Sequence, residues 1–254
     1  MQRNFIKRGV IAAALLVGLS ACASQGEKIS TGDPWEPVNR SIYGFNNGLD
    51  RVLLKPLAKG YRFITPDPVE RGVSNVFANL STPITMVNNL LQGKPVDALS
   101  DAGRFLLNST VGIAGIFDPA TAAGLDKHSE DFGQTMAVWG VPSGPYIVLP
   151  FWGPSTVRGG VGLIPNQLLH GRNLIDDTGI RDKSFILQII QARASLLALD
   201  GQIAASNDPY IFVREAYLQN RNFVIYDGQP PEPEDEFELE EGFDDDLDSF
   251  DDDL

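Results

Sequence analysis

Prolines and glycines interrupt nearly every long apolar stretch of this chain, and that feature limits the regular structure open to it. There are 17 prolines and 25 glycines among 254 residues, a combined share above the ~12% of an average chain, and they gather into no repeat. A proline inside a helix removes a donor and drives its ring against the carbonyl one turn back; in a central strand it removes a ladder bond. The pattern predicts an all-α fold of many short amphipathic helices with sharp breaks.

The opening stretch, residues 33–59, reads DPWEPVNRSIYGFNNGLDRVLLKPLAK. Pro37 fits a first helical turn, where its missing donor is not needed, and Asp33 and Glu36 sit at the positive end of the helix dipole. Ile42, Phe45, Leu49, Val52 and Leu53 then form one apolar face, and Pro56 is expected to end the helix. Gly44 and Gly48 each cost about 1 kcal/mol relative to alanine, tolerable where another backbone or a lipid comes close. The same residues also suit an ordinary amphipathic helix on a soluble core.

Val69, Val73, Val76, Phe77 and Leu80 mark a second helix that stops before Pro83. Thr82 and Pro83 cap and open a third, through Ile84, Val87, Leu90 and Leu91 to Gly93, and Pro95 opens a fourth through Val96, Leu99, Phe105 and Leu106. Residues 105–117 carry no charge and include Gly112 and Gly115; the run is too short to cross a bilayer, so it is a buried segment or one partly in a membrane. Asp118 with Pro119, and Phe132 to Trp139, start two further short helices. In residues 141–162 the prolines at 142, 145, 150 and 154 exclude a regular helix interior and a central strand. Trp139, Tyr146, Phe151 and Trp152 are of the types that favour the headgroup zone, making this segment a membrane seat or a loop closing a soluble core. Residues 177–205 hold the longest helical pattern, and Asp208 with Pro209 begins a last helix.

The ends differ in kind from the middle. Residues 1–21 have a basic start (Arg3, Lys7, Arg8), an apolar run from Val10 to Leu19 and small residues before Cys22, the pattern of a secretory signal. LSAC at 19–22 resembles the lipobox of bacterial lipoproteins, which implies cleavage before Cys22 and acylation of it. Cys22 is the only cysteine, so it forms no internal disulfide, and the apolar run is about half the ~20 residues that span a bilayer. Residues 22–32 would then be a lipidated tether and 33–227 the helical domain. Residues 228–254 form an acidic tail expected to be disordered. That tail, from Glu232 on, holds 14 of the chain's 33 acidic residues, so the overall charge of −13 is a property of the end. The rest is nearly neutral and lacks a basic face, which sets nucleic acid aside.

Catalytic chemistry has little foothold. The lipase elbow is absent, since GVPSG at 140–144 places its serine one position late, and HSED at 128–131 reads as a polar loop with a helix cap at Asp131. There is no CxxC, HExxH or phosphate loop. No metal and no cofactor are expected, and no enzyme.

Four separated stretches are specific in combination: residues 33–62, SNVFANLSTPITMVNNLLQGK (74–94), RFLLNSTVGIAGIFDPA (104–120) and EDFGQTMAVWGVPSGPYIVLPFWGPSTVR (130–158). Together they closely resemble the MlaA (VacJ) family of outer-membrane phospholipid-transport lipoproteins. The resemblance implies a ring-like array of short helices lying in one membrane leaflet, with longer C-terminal periplasmic helices. It implies a lipid-anchored protein in the periplasmic leaflet of the outer membrane, commonly beside trimeric porins. Through an amphipathic channel, phospholipids misplaced in the outer leaflet would be withdrawn and passed to a soluble periplasmic carrier. Such transfer breaks no bond, so missing catalytic residues agree with it. Asn39, Arg40, Phe45, Asn46 and Asn47 are the positions associated with the passage or its gate. The competing readings are a structural lipoprotein that scaffolds envelope proteins without moving lipid, and a lipid hydrolase.

Overall fold

A computed structural model describes residues 33–231. The expected signal segment (1–21), the expected acylation site Cys22 with its tether, and all of the expected tail (228–254) beyond residue 231 lie outside the described residues. The described chain is all-α apart from one small hairpin. Helix α1 (Glu36–Leu49) passes through a π-helical turn (Asp50–Leu54) into α2 (Lys55–Ile64). There follow α3 (Asp67–Leu91), α4 (Pro95–Thr110) and the short α5 (Pro119–Ala122) and α6 (Phe132–Val138). Strands β1 (Tyr146–Leu149) and β2 (Gly153–Thr156) pair antiparallel, Tyr146 opposite Thr156 and Leu149 opposite Gly153. Then come α7 (Val157–Leu169), a 3₁₀ turn (Gly171–Leu174), α8 (Thr178–Ser195), a second 3₁₀ turn (Leu197–Leu199), α9 (Asp200–Ala205) and α10 (Pro209–Ile225).

The helix starts follow from local chemistry. Asp118, Asp131, Thr156, Asp177 and Asp208 each accept a backbone N–H of the first turn, and Asp131 forms a reciprocal capping box with Gln134. Prolines open α4, α5 and α10.

Two expected breaks do not occur. Pro56 ends nothing: the π turn just before it widens the helix by one residue, so the proline ring is accommodated and the helix continues as α2. Pro83 lies inside α3, whose 25 residues make it the longest described helix, longer than α8. Around that proline, Ser81 Oγ donates to the Phe77 carbonyl (3.0 Å) and Thr82 Oγ1 to that of Ala78 (3.2 Å). The carbonyl that Pro83 leaves without its ladder donor is that of Asn79; the two hydroxyls back-bond the residues just before it, a contact that bends a helix and so eases the fit of the ring. The proline-rich segment also contains a hairpin that its sequence did not announce. Its strands are both edges, which is where Pro154 is tolerated.

Helices α3 and α4 form the largest helix pair, α6 packs on α7, α2 on α8, and α10 closes against α6 and β2. The buried apolar cluster is small: Tyr146, Val148 and Tyr210, with Ile42, Tyr43, Ile211, Tyr217 and Leu218 against it. Buried polar and charged residues outnumber buried apolar ones among the described residues, and they include Asn88, Asn89, Asp101, Arg104 and Thr135. Large apolar side chains lie outside instead. On α1, the π turn and α2, Phe45, Leu53, Val52 (80% exposed) and Phe63 (91%) face outward. No described helix is long and apolar enough to cross a membrane.

Candidate functional site

The polar interior surrounds a cavity of about 300 Å³ between α3, α4, the loop at 127–129 and α8. Helix α3 supplies a stripe of small and uncharged polar residues at helical spacing: Ser74, Asn75, Ala78, Ser81, Thr82 and Thr85. Helix α4 contributes Asp101, Arg104 and Asn108, and α8 contributes Gln188 and Gln191. The wall is hydrophilic although α3 and α4 also expose Val69, Leu90, Val96, Leu99 and Leu106 on the outside.

All but one of the charges in that wall are paired in place. Arg104, nearly buried, binds Asp118 through two bonds of 3.0 and 2.9 Å, donates to Thr121 Oγ1 and also donates to the Leu125 carbonyl. Burial of Asp118 favours its neutral form, but donors from Thr121 and Asn108 and the Arg104 charge outweigh it, lowering its pKa to about 2. Asp101, 1% exposed, accepts from Asn89 Nδ2 at 2.8 Å and pairs with His128 Nδ1 at 3.0 Å. Lys127 lines the cavity and makes no ion pair among the described residues. Deeper in, Thr135 donates to Asn88 Oδ1, while Gln92, Gln134 and Lys94 surround Glu130. Burial raises the pKa of Glu130, with the Gln92 hydrogen bond and the Lys94 charge opposing it. A wall of this kind presents many hydrogen-bonding groups with little net charge, suited to a polar group in transit. The described residues contain no group of histidines, cysteines and carboxylates able to hold a metal.

The five residues expected at a passage lie elsewhere, on α1. Asn39, 2% exposed, donates to the Tyr146 carbonyl (3.1 Å) and to the Asp33 carboxylate, and its Oδ1 accepts from Val148 N (2.8 Å). Two helical turns on, Asn46 repeats the device, donating to the Leu149 carbonyl and accepting from Phe151 N, both at 2.9 Å. These two amides dock on β1 as a third strand would. Arg40 spans Glu36 (2.7 Å) and Asp208 (2.6 Å) and lies over the Tyr210 ring at 4.4 Å. Phe45 meets Phe151 edge to face with centroids 5.4 Å apart, and Asn47 is exposed. None of the five lines the cavity.

Of the four aromatic residues expected at a membrane surface, Trp139, Phe151 and Trp152 are exposed. Tyr146 is not: it belongs to the core cluster, packed edge to face on Tyr210 and Tyr217, because the strand alternation turns it inward. Gly44 and Gly48 have open space where a Cβ would stand, so no protein backbone approaches them. Close approaches fall elsewhere, as at Gly115, which sits at φ +90° and at which a Cβ would lie 2.7 Å from Asn79 Cβ. The cavity stripe escaped the sequence reading because α3 was read by its apolar face alone. The available signal was the uncharged polar series from Ser74 to Thr85.

A family model described as MlaA lipoprotein matches residues 31–224. An intermembrane phospholipid transport system lipoprotein, MlaA, of Shigella flexneri is 38% identical over 224 residues, covering 86% of this chain and 88% of the relative. Its Escherichia coli K12 counterpart is 37% identical over the same shares. An uncharacterized protein of Rickettsia typhi is 36% identical over 198 residues, 76% of this chain and 78% of its own. A solved structure described as the structural basis for maintenance of bacterial outer membrane lipid asymmetry superposes with a TM-score of 0.68 at 36% identity, covering 76% of this chain and 99% of that one. Matched over most of its length by the family model and by these relatives, the chain belongs to the MlaA lipoprotein family.

Proposed function

We propose that this lipoprotein withdraws phospholipid misplaced in the outer leaflet of the outer membrane and hands it to a soluble periplasmic carrier, preserving lipid asymmetry. The observation that carries the reading is the inverted distribution of polarity: a hydrophilic cavity of about 300 Å³ inside, and an apolar belt outside that includes Phe63, Val52, Val96 and Leu99. A water-facing protein does not present so much apolar surface without a partner, and described helices none of which is both long and apolar enough to cross a bilayer suit one leaflet. The belt would contact acyl chains while the Asn, Ser and Gln wall takes the headgroup. The family membership and the names of the relatives support the same reading.

On this reading Cys22 carries the anchor in the periplasmic leaflet, Trp139, Phe151 and Trp152 seat the protein at the headgroup level, and a trimeric porin holds it in place. Of the five α1 residues, Asn39, Phe45 and Asn46 act on the passage from outside its wall, by fixing the hairpin. Deleting the gene is expected to raise outer-leaflet phospholipid, measured by surface labelling of phosphatidylethanolamine, and complementation to lower it again. Unchanged asymmetry in the deletion strain would leave only a scaffolding role.

A further inference from the structure

A second concavity, about 650 Å³, opens between the hairpin loop, α7 and the 3₁₀ turn after it. Its volume falls within the roughly 300–1,000 Å³ of small-ligand sites. The walls are apolar: Leu149 and Trp152 from the hairpin, Leu163, Ile164 and Leu168 from α7. At one end stands a partly buried cation, Arg172. Its guanidinium donates to Gln188 Oε1 (3.1 Å) and Gln167 Oε1 (3.0 Å) and lies 4.4 Å above the Phe185 ring. It forms no ion pair among the described residues, unlike Arg40, Arg104, Arg193 and Arg221, each of which holds a carboxylate.

That pairing has two consequences. An arginine whose side-chain hydrogen bonds go only to neutral amides holds no carboxylate of its own, and two hydrogen bonds leave three of its five donors uncommitted. Burial and the neighbouring Arg181 lower its pKa against the opposing charge of Asp182, the direction an incoming anion would reverse. The second consequence is positional. Gln188, the residue that accepts from Arg172, also lines the polar cavity. One hydrogen bond therefore separates an apolar groove from a hydrophilic chamber.

The geometry points to Arg172 as a phosphate-binding residue that holds a phospholipid by its phosphodiester, with an acyl chain along the Leu149–Leu168 groove and the headgroup turned toward Gln188 and the polar cavity. The occupant is a phospholipid and not a free anion or a peptide, because the groove offers apolar length beside a single planar cation suited to phosphate. This assignment rests on the lipid-transfer reading and gives it a holding point.

The test uses the full lipoprotein in detergent and two probes with identical chains, dioleoylphosphatidylglycerol and dioleoylglycerol, with binding measured by native mass spectrometry. R172Q is expected to weaken phosphatidylglycerol binding about tenfold to a hundredfold, the range of a charge-assisted hydrogen bond. R172K will recover part of the loss, and dioleoylglycerol will bind parent and variant alike. Unchanged phosphatidylglycerol binding in R172Q would overturn the assignment. So would an equal loss for dioleoylglycerol, which would mean the groove itself had collapsed, or full competition by inorganic phosphate alone, which would mean an anion site. Each of these failures is independent of the deletion-strain result, so the holding point can fall while transfer stands.

Discussion

Replacing Asn39 with alanine isolates what one buried amide contributes to this fold. Its side chain is 2% exposed and serves two backbone groups of β1, the Tyr146 carbonyl at 3.1 Å and the Val148 amide at 2.8 Å. Without it both are left unpaired in a dry place, and each such group costs about 1–3 kcal/mol. Allowing for partial relaxation, Asn39→Ala is expected to destabilise by roughly 3 kcal/mol. Asn46→Ala removes two bonds of the same length and type, but to groups that water reaches, so its cost is about 1 kcal/mol. For a chain of this size each kcal/mol moves the melting temperature by about 2–4 °C, so the two variants should differ by roughly 4–8 °C. Thermal unfolding in detergent, followed by circular dichroism, reads the difference. Equal shifts for the two variants, or a larger one for Asn46→Ala, would refute the argument that burial and not bond count sets the cost.

Other substitutions probe separate parts. A Cβ on Gly171 would lie 2.4 Å from the Leu80 carbonyl oxygen, so Gly171→Ala will force α3 and the 3₁₀ turn apart and cost about 1–3 kcal/mol; Gly44→Ala, in open space within α1, will stabilise by about 1 kcal/mol. The same unfolding assay checks both signs. The depressed pKa of Asp118, about 2 against an ordinary 3.8, adds stability of about 2 kcal/mol that is complete above the ordinary value and disappears as pH falls through about 2. Asp118→Asn will flatten the urea midpoint across that acidic window, and parallel profiles for parent and variant would dismiss the linkage. Cys22→Ala is expected to leave the protein unacylated and to abolish its effect on outer-leaflet phospholipid; full complementation by that variant would contradict the anchor.

Local signals carried most of the fold that could be read in advance. Asp118, Asp131, Asp177 and Asp208 mark helix starts because a carboxylate capping a first turn needs nothing beyond its neighbours. Pro56 and Pro83 misled for the same reason: the π turn beside one and the back-bonding hydroxyls beside the other are local adjustments a proline rule does not contain. The hairpin was invisible because its four-residue strands are held by Asn39 and Asn46 from more than a hundred positions away. The cavity stayed hidden for a different cause. Hydrophobic periodicity assumes that apolar faces turn inward, and here Phe63, Val52 and Leu99 turn outward while Asn88 and Asp101 are enclosed.

The enclosed amides and outward aliphatic side chains bear on the thermodynamics as well as the location of this protein. Unfolding normally raises heat capacity because it wets apolar surface, and exposing polar groups lowers it. A chain whose interior is rich in amides and hydroxyls, and whose aliphatic surface would on the proposed reading be covered by lipid, has less of the first term and more of the second. Its free-energy curve against temperature should be unusually shallow, so that the same fold serves a bacterial envelope across a wide thermal range without a sharp optimum.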